Sequence, residues 1–214
     1  MKSLIFLILA VIFWGNTAEC QLTFKKEKDE TVDDLIGRIS APAITTYETI
    51  KRVIPGKKTT IYIYFTENTV YDSSSVPGVR FTKNSIVAFS LITHDSVGFF
   101  HSVIDTLRFD NGYEMPEIKT VFFTNCDLDK EDELFILFSS FYEHHGLAGY
   151  IFKTFAYDLT NENGIGWKKN KKISSLFDDS EIGAVDDKAT KKTRHIAKYN
   201  SAISIKRRLK ELGY

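Results

Sequence analysis

The sequence predicts a mainly β fold of the α+β class: an antiparallel sheet of about six strands, a short N-terminal helix before it and a C-terminal amphipathic helix after it. Three observations predict it. Stretches dense in β-branched and aromatic residues recur between Thr59 and Leu159, set apart by clusters of turn formers. The links between them are short, and parallel neighbours need a crossover of a dozen or more residues, so antiparallel pairing is expected. On either side of this region, apolar residues fall three or four apart, the period of one helical face.

The elements follow in order. Residues 1–20 have the layout of a signal peptide: Lys2 gives a positive start, Leu4 to Trp14 is an unbroken apolar run, and small and polar residues follow. The run is shorter than the roughly 20 residues of a membrane span. Ala18 and Cys20 suit a cut before Gln21; a cut after Ala18 would put Asn16 at the outer recognition position. Cys20 also allows a lipid-anchored N-terminus, although Glu19 precedes it where lipoprotein signals favour a small residue. The expected location is secreted or periplasmic, with lipid anchoring through Cys20 as the alternative. The other cysteine, Cys126, either pairs with Cys20 or stands alone as a small buried residue.

Residues 21–58 hold the lead-in and the first helix. Val32, Leu35, Ile36 and Ile39 share one face, Thr31 is a suitable N-cap, Asp33 and Asp34 favour the positive end of the dipole, and Pro42 ends the helix. Residues 59–160 form the β region, with strands at Thr59–Glu67, Asn84–Thr93, Phe99–Phe109, Ile118–Asn125, Glu133–Glu143 and Ala148–Leu159. Ser73–Gly78 and Asp110–Glu117 are turns, and the last two strands form a hairpin around His144, His145 and Gly146. Leu134 to Phe138 is apolar at every position, so both faces of that strand are expected to be covered.

Residues 161–214 are more polar. Asn161–Lys172 reads as an exposed turn, Ile173–Asp179 as a short helical turn and Asp178–Lys192 as a charged loop. A helix is expected over Arg194–Leu212, with Ala202, Ile205, Leu209 and Leu212 on one face. The whole region packs on the same domain.

The stretch Asn125–Leu137, NCDLDKEDELFIL, concentrates acids before an apolar strand. Asp127, Asp129, Glu131, Asp132 and Glu133 are hard oxygen donors of the kind calcium takes. The segment Asp127–Leu137 resembles the acidic loop and following strand of FG-GAP or VCBS-type repeats. That resemblance implies a calcium loop with Asp127, Asp129 and Glu131 at its first three ligand positions. The segment lacks the loop glycine of those repeats and occurs once, whereas a propeller needs at least about four blades. The plain structural alternative is a solvated turn whose acids deter edge-to-edge association. More broadly, an apolar leader ahead of one aromatic-rich β domain resembles poorly characterised bacterial secreted proteins.

Other chemistries find little support. His144 and His145 are strand neighbours that point to opposite faces, and His94 and His101 sit in separate segments. There is no His-Glu-x-x-His motif, no Gly-x-Ser-x-Gly elbow and no phosphate loop between strand and helix. Lys and Arg balance Asp and Glu at 28 each, which argues against a general nucleic-acid binder. The charge is unevenly spread: from Lys188 to Tyr214 the chain is strongly basic, which fits an anionic surface or else the solvated side of a packed helix. Asp178, Asp179, Glu181, Asp186 and Asp187 could neutralise it. The function expected is that of an exported, non-catalytic binding or interaction protein of unknown ligand. Alternatives are an extracytoplasmic hydrolase with a site assembled from scattered carboxylates and histidines, and an envelope lipoprotein with a structural role. No cofactor is expected beyond the calcium of the acidic loop.

Overall fold

The computed structural model describes residues 22–45, 47–73, 80–94, 98–108, 115–127, 129, 131–144, 147–160, 166–177, 179–184 and 197–214. The expected leader, Cys20, His145 and the turn centres around 74–79 and 109–114 lie outside the described residues. Among the described residues the chain forms, in order, β1 (Leu22–Lys25), α1 (Val32–Ser40), β2 (Ile50–Val53), β3 (Thr60–Ser73), β4 (Arg80–Thr93), β5 (Gly98–Leu107), β6 (Glu117–Thr124), β7 (Glu133–His144), β8 (Leu147–Thr160), β9 (Gly166–Lys169), α2 (Lys171–Ser174), β10 (Asp179–Ala184) and α3 (Ala202–Glu211).

The fold is mainly β and antiparallel, but the single sheet of about six strands is corrected to two sheets. The N-terminal sheet has the order β1-β5-β4-β3-β2. The C-terminal sheet has the order β10-β8-β7-β6, and β9 also pairs with β8. Both β9 and β10 use the edge of β8 that faces away from β7: β9 takes Tyr157–Thr160 and β10 takes Leu147–Phe152. Between them, α2 and its N-cap serve the buried backbone of Ala156, which neither edge strand pairs. Its Ser174 Oγ accepts from the Ala156 N–H at 3.0 Å, and the Asn170 N–H donates to the Ala156 carbonyl at 2.8 Å.

Strand alternation places the core. Ile61, Ile63 and Phe65 of β3, with Ile86, Ala88 and Ile92 of β4, point at Leu134, Ile136 and Phe138 of β7 and close the space between the sheets. Tyr64, Leu91 and Phe99 point the other way, under Leu35 and Ile36 of α1. Phe135 and Leu137 meet α2 and α3 through Ile173, Ile205 and Leu209. The strand apolar on both faces is thus central and covered on both sides, as its composition requires.

A bulge between Ala88 and Phe89 lets Asp105 pair opposite the inward-facing Ala88, so its carboxylate reaches the sheet interface. There it accepts from the Tyr157 hydroxyl at 2.7 Å and from Lys169 Nζ at 2.9 Å. Trp167 Nε1 donates to Ser90 Oγ at 2.9 Å, which in turn meets Ser102 Oγ at 2.9 Å. These bonds tie β9 to the opposite sheet.

Helix boundaries follow their caps. Thr31 and Asp34 form a reciprocal capping box at the start of α1, and Ala41 follows its end just before Pro42. The last helix begins at Ala202 rather than Arg194, because Ser201 and Ser204 cap it there. Three polar segments read as lead-in, turn and loop contain short edge strands: β2, β9 and β10.

Candidate functional site

The acidic corner lies where β6 turns into β7, beside the end of β8. Asx turns shape its loop. The Asp129 N–H donates to Asp127 Oδ1 at 2.9 Å, and the Glu131 N–H donates to Asp129 Oδ1 at 2.6 Å. Asn125 Nδ2 donates to the carbonyls of Asp129 and Glu131. Glu131 and Asp132 turn toward the N-terminal sheet, where they pair with Lys57 and Arg52. The Arg52 guanidinium also covers the Phe123 ring at 5.4 Å.

The loop therefore does not bring Asp127, Asp129 and Glu131 together as one group. Carboxylate oxygens of Asp127, Glu133 and Asp158 lie within 4.8 Å of one another instead. Asp127 was among the expected ligands and Glu133 among the candidate donors. Asp158 was missed, because it sits on β8 and reaches Glu133 only through the β7–β8 pairing that sets Leu134 opposite Tyr157. Three carboxylates suit a hard cation, whose shell of six to eight oxygens would need further carbonyls or water.

Glu133 is buried, with 2% of its surface exposed, and accepts from the buried Cys126 N–H. Burial, and then the nearby Asp127, push its carboxyl above the ordinary carboxylate range, against the hydrogen bonds from Cys126. Burial likewise raises Asp158, opposed by Asn170 and reinforced by Asp127 and Asp129. Burial also raises the Cys126 thiol, with Glu133 adding to the effect. A thiol raised in this way stays protonated and is a poor nucleophile.

These shifts set a pH dependence. The folded state holds its protons at Glu133 and Asp158 more tightly than the unfolded chain does. Their contribution to stability is full below the unfolded carboxylate values and is lost as pH rises through the raised folded values. Glu133→Gln keeps an acceptor for the Cys126 N–H and removes the charge. The variant is expected to be more stable than the wild type at pH 8, with a flatter profile from pH 4 upward. Urea denaturation across that range measures it, and equal slopes would refute the assignment to Glu133.

Among the described residues, His94 and His101 have separate partners. His94 Nδ1 and Thr59 Oγ1 are 2.8 Å apart, while His101 Nε2 meets Tyr64 Oη at 2.8 Å. The His101 ring stacks on Phe89, and burial lowers its pKa, which favours the neutral ring.

The C-terminal helix divides its faces sharply. Ile205 and Leu209 are buried in the cluster with Phe135 and Leu137. Lys206, Arg207 and Lys210 are exposed, and Ile203 is 72% exposed. Lys206 reaches over Phe122 at 5.0 Å, and Arg208 pairs with Glu211. Leu212 and Tyr214 are exposed just beyond. The helix packs beside β6, whereas Asp179 and Glu181 belong to β10 at the opposite edge of the sheet. Asp178, Asp186 and Asp187 lie outside the described residues.

Among the described residues, no helix is long and apolar enough to cross a membrane. No family model, curated protein or solved structure matches the chain.

Proposed function

We propose that this is an exported, non-catalytic interaction protein that docks on an anionic phospholipid surface through α3. The observation that carries this reading is the outer side of α3. After Ile205 and Leu209 are buried, the helix still presents Arg207 and Lys210 to solvent beside the exposed Ile203. Export rests on the leader-like stretch at residues 1–20. The acids that could have cancelled the charge from β10 stand at the far edge of the sheet.

The exposed apolar groups favour lipid over a soluble acidic polymer. Ile203, Leu212 and Tyr214 flank the cations, and an interfacial helix uses such groups to enter the headgroup layer while Lys and Arg meet the phosphates. A basic residue near an anionic membrane contributes about 1 kcal/mol. Neutralising both Arg207 and Lys210 to Gln is therefore expected to lower vesicle binding about 30-fold. Co-sedimentation with phosphatidylglycerol vesicles measures it, with phosphatidylcholine vesicles as the control. Equal binding to both vesicle types, or binding indifferent to the double substitution and to salt, would reject the reading.

A further inference from the structure

Among the described residues, the helices α2 and α3 cover one end of the outer face of the C-terminal sheet. At the other end lies an open cavity of about 360 Å³, lined by Met115, Glu117, Ser139, Ser140, Phe141 and Tyr150. Pairing explains how these residues meet. Glu117 stands opposite Ser139, and Phe141 stands opposite Tyr150. The β6–β7 register shifts between Ile118 and Thr120, immediately beside this site.

Two properties set the cavity apart. Ser139 is fully buried, yet among the described residues its hydroxyl has no hydrogen-bond partner. Unpaired buried hydroxyls carry an uncompensated desolvation penalty, and packing alone gives no reason to keep them. The second property is the aromatic wall. Tyr150 is 40% exposed and meets Phe141 edge-on at 5.4 Å. Lys119 lies over the Tyr150 ring at 5.5 Å and pairs with Glu117. The wall therefore offers an apolar ring beside a neutralised pair of charged groups.

We infer that this cavity is a binding site for a neutral saccharide. A sugar ring has an apolar C–H face for Tyr150, and its hydroxyls both donate and accept. They can donate to the Glu117 carboxylate, accept from Lys119 and pair with Ser139 in either sense. An anionic ligand would meet Glu117, a cationic one would meet Lys119, and a purely apolar one would leave the Ser139 hydroxyl unpaired. The volume is at the small end of the roughly 300–1,000 Å³ of ligand pockets and accommodates one or two sugar units.

The test uses the purified full chain, titrated by saturation-transfer NMR and calorimetry. The probes are glucose, galactose, mannose, N-acetylglucosamine and their β-linked disaccharides. At least one is expected to bind with a millimolar or tighter Kd. Tyr150→Ala is expected to weaken it about tenfold and Glu117→Gln about fivefold. Because Glu117 is on the exposed rim, its variant keeps the fold if loss of Tyr150 does not. Ser139→Ala separates a ligand contact from a structural one: it is expected to leave Tm equal or higher while weakening the sugar several-fold. Absence of binding by every probe at 50 mM, binding indifferent to Tyr150 and Glu117, or a lowered Tm in Ser139→Ala would overturn the proposal.

Discussion

Phe135→Ala is expected to destabilise the protein by about 3–5 kcal/mol, the range for removing a buried aromatic side chain. The ring is fully buried, stacks on Phe122 with centroids 5.0 Å apart and meets Phe177 edge-on at 6.4 Å. It stands where β7 contacts the layer of helices, so its loss leaves a cavity beneath α2 and α3. Phe135→Leu retains most of the apolar volume and should cost less than about 1.5 kcal/mol. Urea denaturation followed by circular dichroism compares the two. A loss below about 1 kcal/mol for the alanine variant would mean that the helices can collapse into the space.

Trp167→Ala is expected to have an effect of similar size, about 3–5 kcal/mol, but at the other face of the same sheet. Trp167 is 6% exposed and belongs to the cluster between the sheets. Its indole N–H ends at Ser90, on the opposite sheet. Trp167→Phe keeps a ring but removes the donor together with part of the buried indole volume, so by itself it costs more than the roughly 1 kcal/mol of the hydrogen bond. Combined with Ser90→Ala, it closes a double-mutant cycle whose coupling energy should be positive. Circular dichroism is the suitable signal, since Trp167 would itself dominate fluorescence. A small loss for the alanine variant would show that β9 adds little to the joining of the sheets.

The legible parts of the fold are those whose side chains carry their own pattern. Leu134–Phe138 announces a strand covered on two sides, and Thr31 with Asp34 announces the start of α1. β9 and β10 announce nothing. GWKK has one large apolar residue, and DSEIGA alternates weakly; both become strands by completing the edge of β8. That edge is a tertiary fact, and so is the division into two sheets. Site residues follow the same rule. The Asp127 cluster was visible as a run of acids, but Asp158 joins it from 25 positions beyond Glu133 through register alone. Ser139 reads as an ordinary residue within LFILFSSFYE, and its unpaired hydroxyl is visible only once its neighbours are in place.

Connectivity also orders assembly in time. From β2 to β5 each strand pairs with the next in the chain, and β6 to β8 repeat that plan, so these hairpins need only local searches. The four residues of β1 are different: Leu22 must wait for His101 before it has a partner. Within the N-terminal sheet this strand is made first and paired last. It is held by four residues paired along one side, which makes it a place where fraying and proteolytic attack are expected.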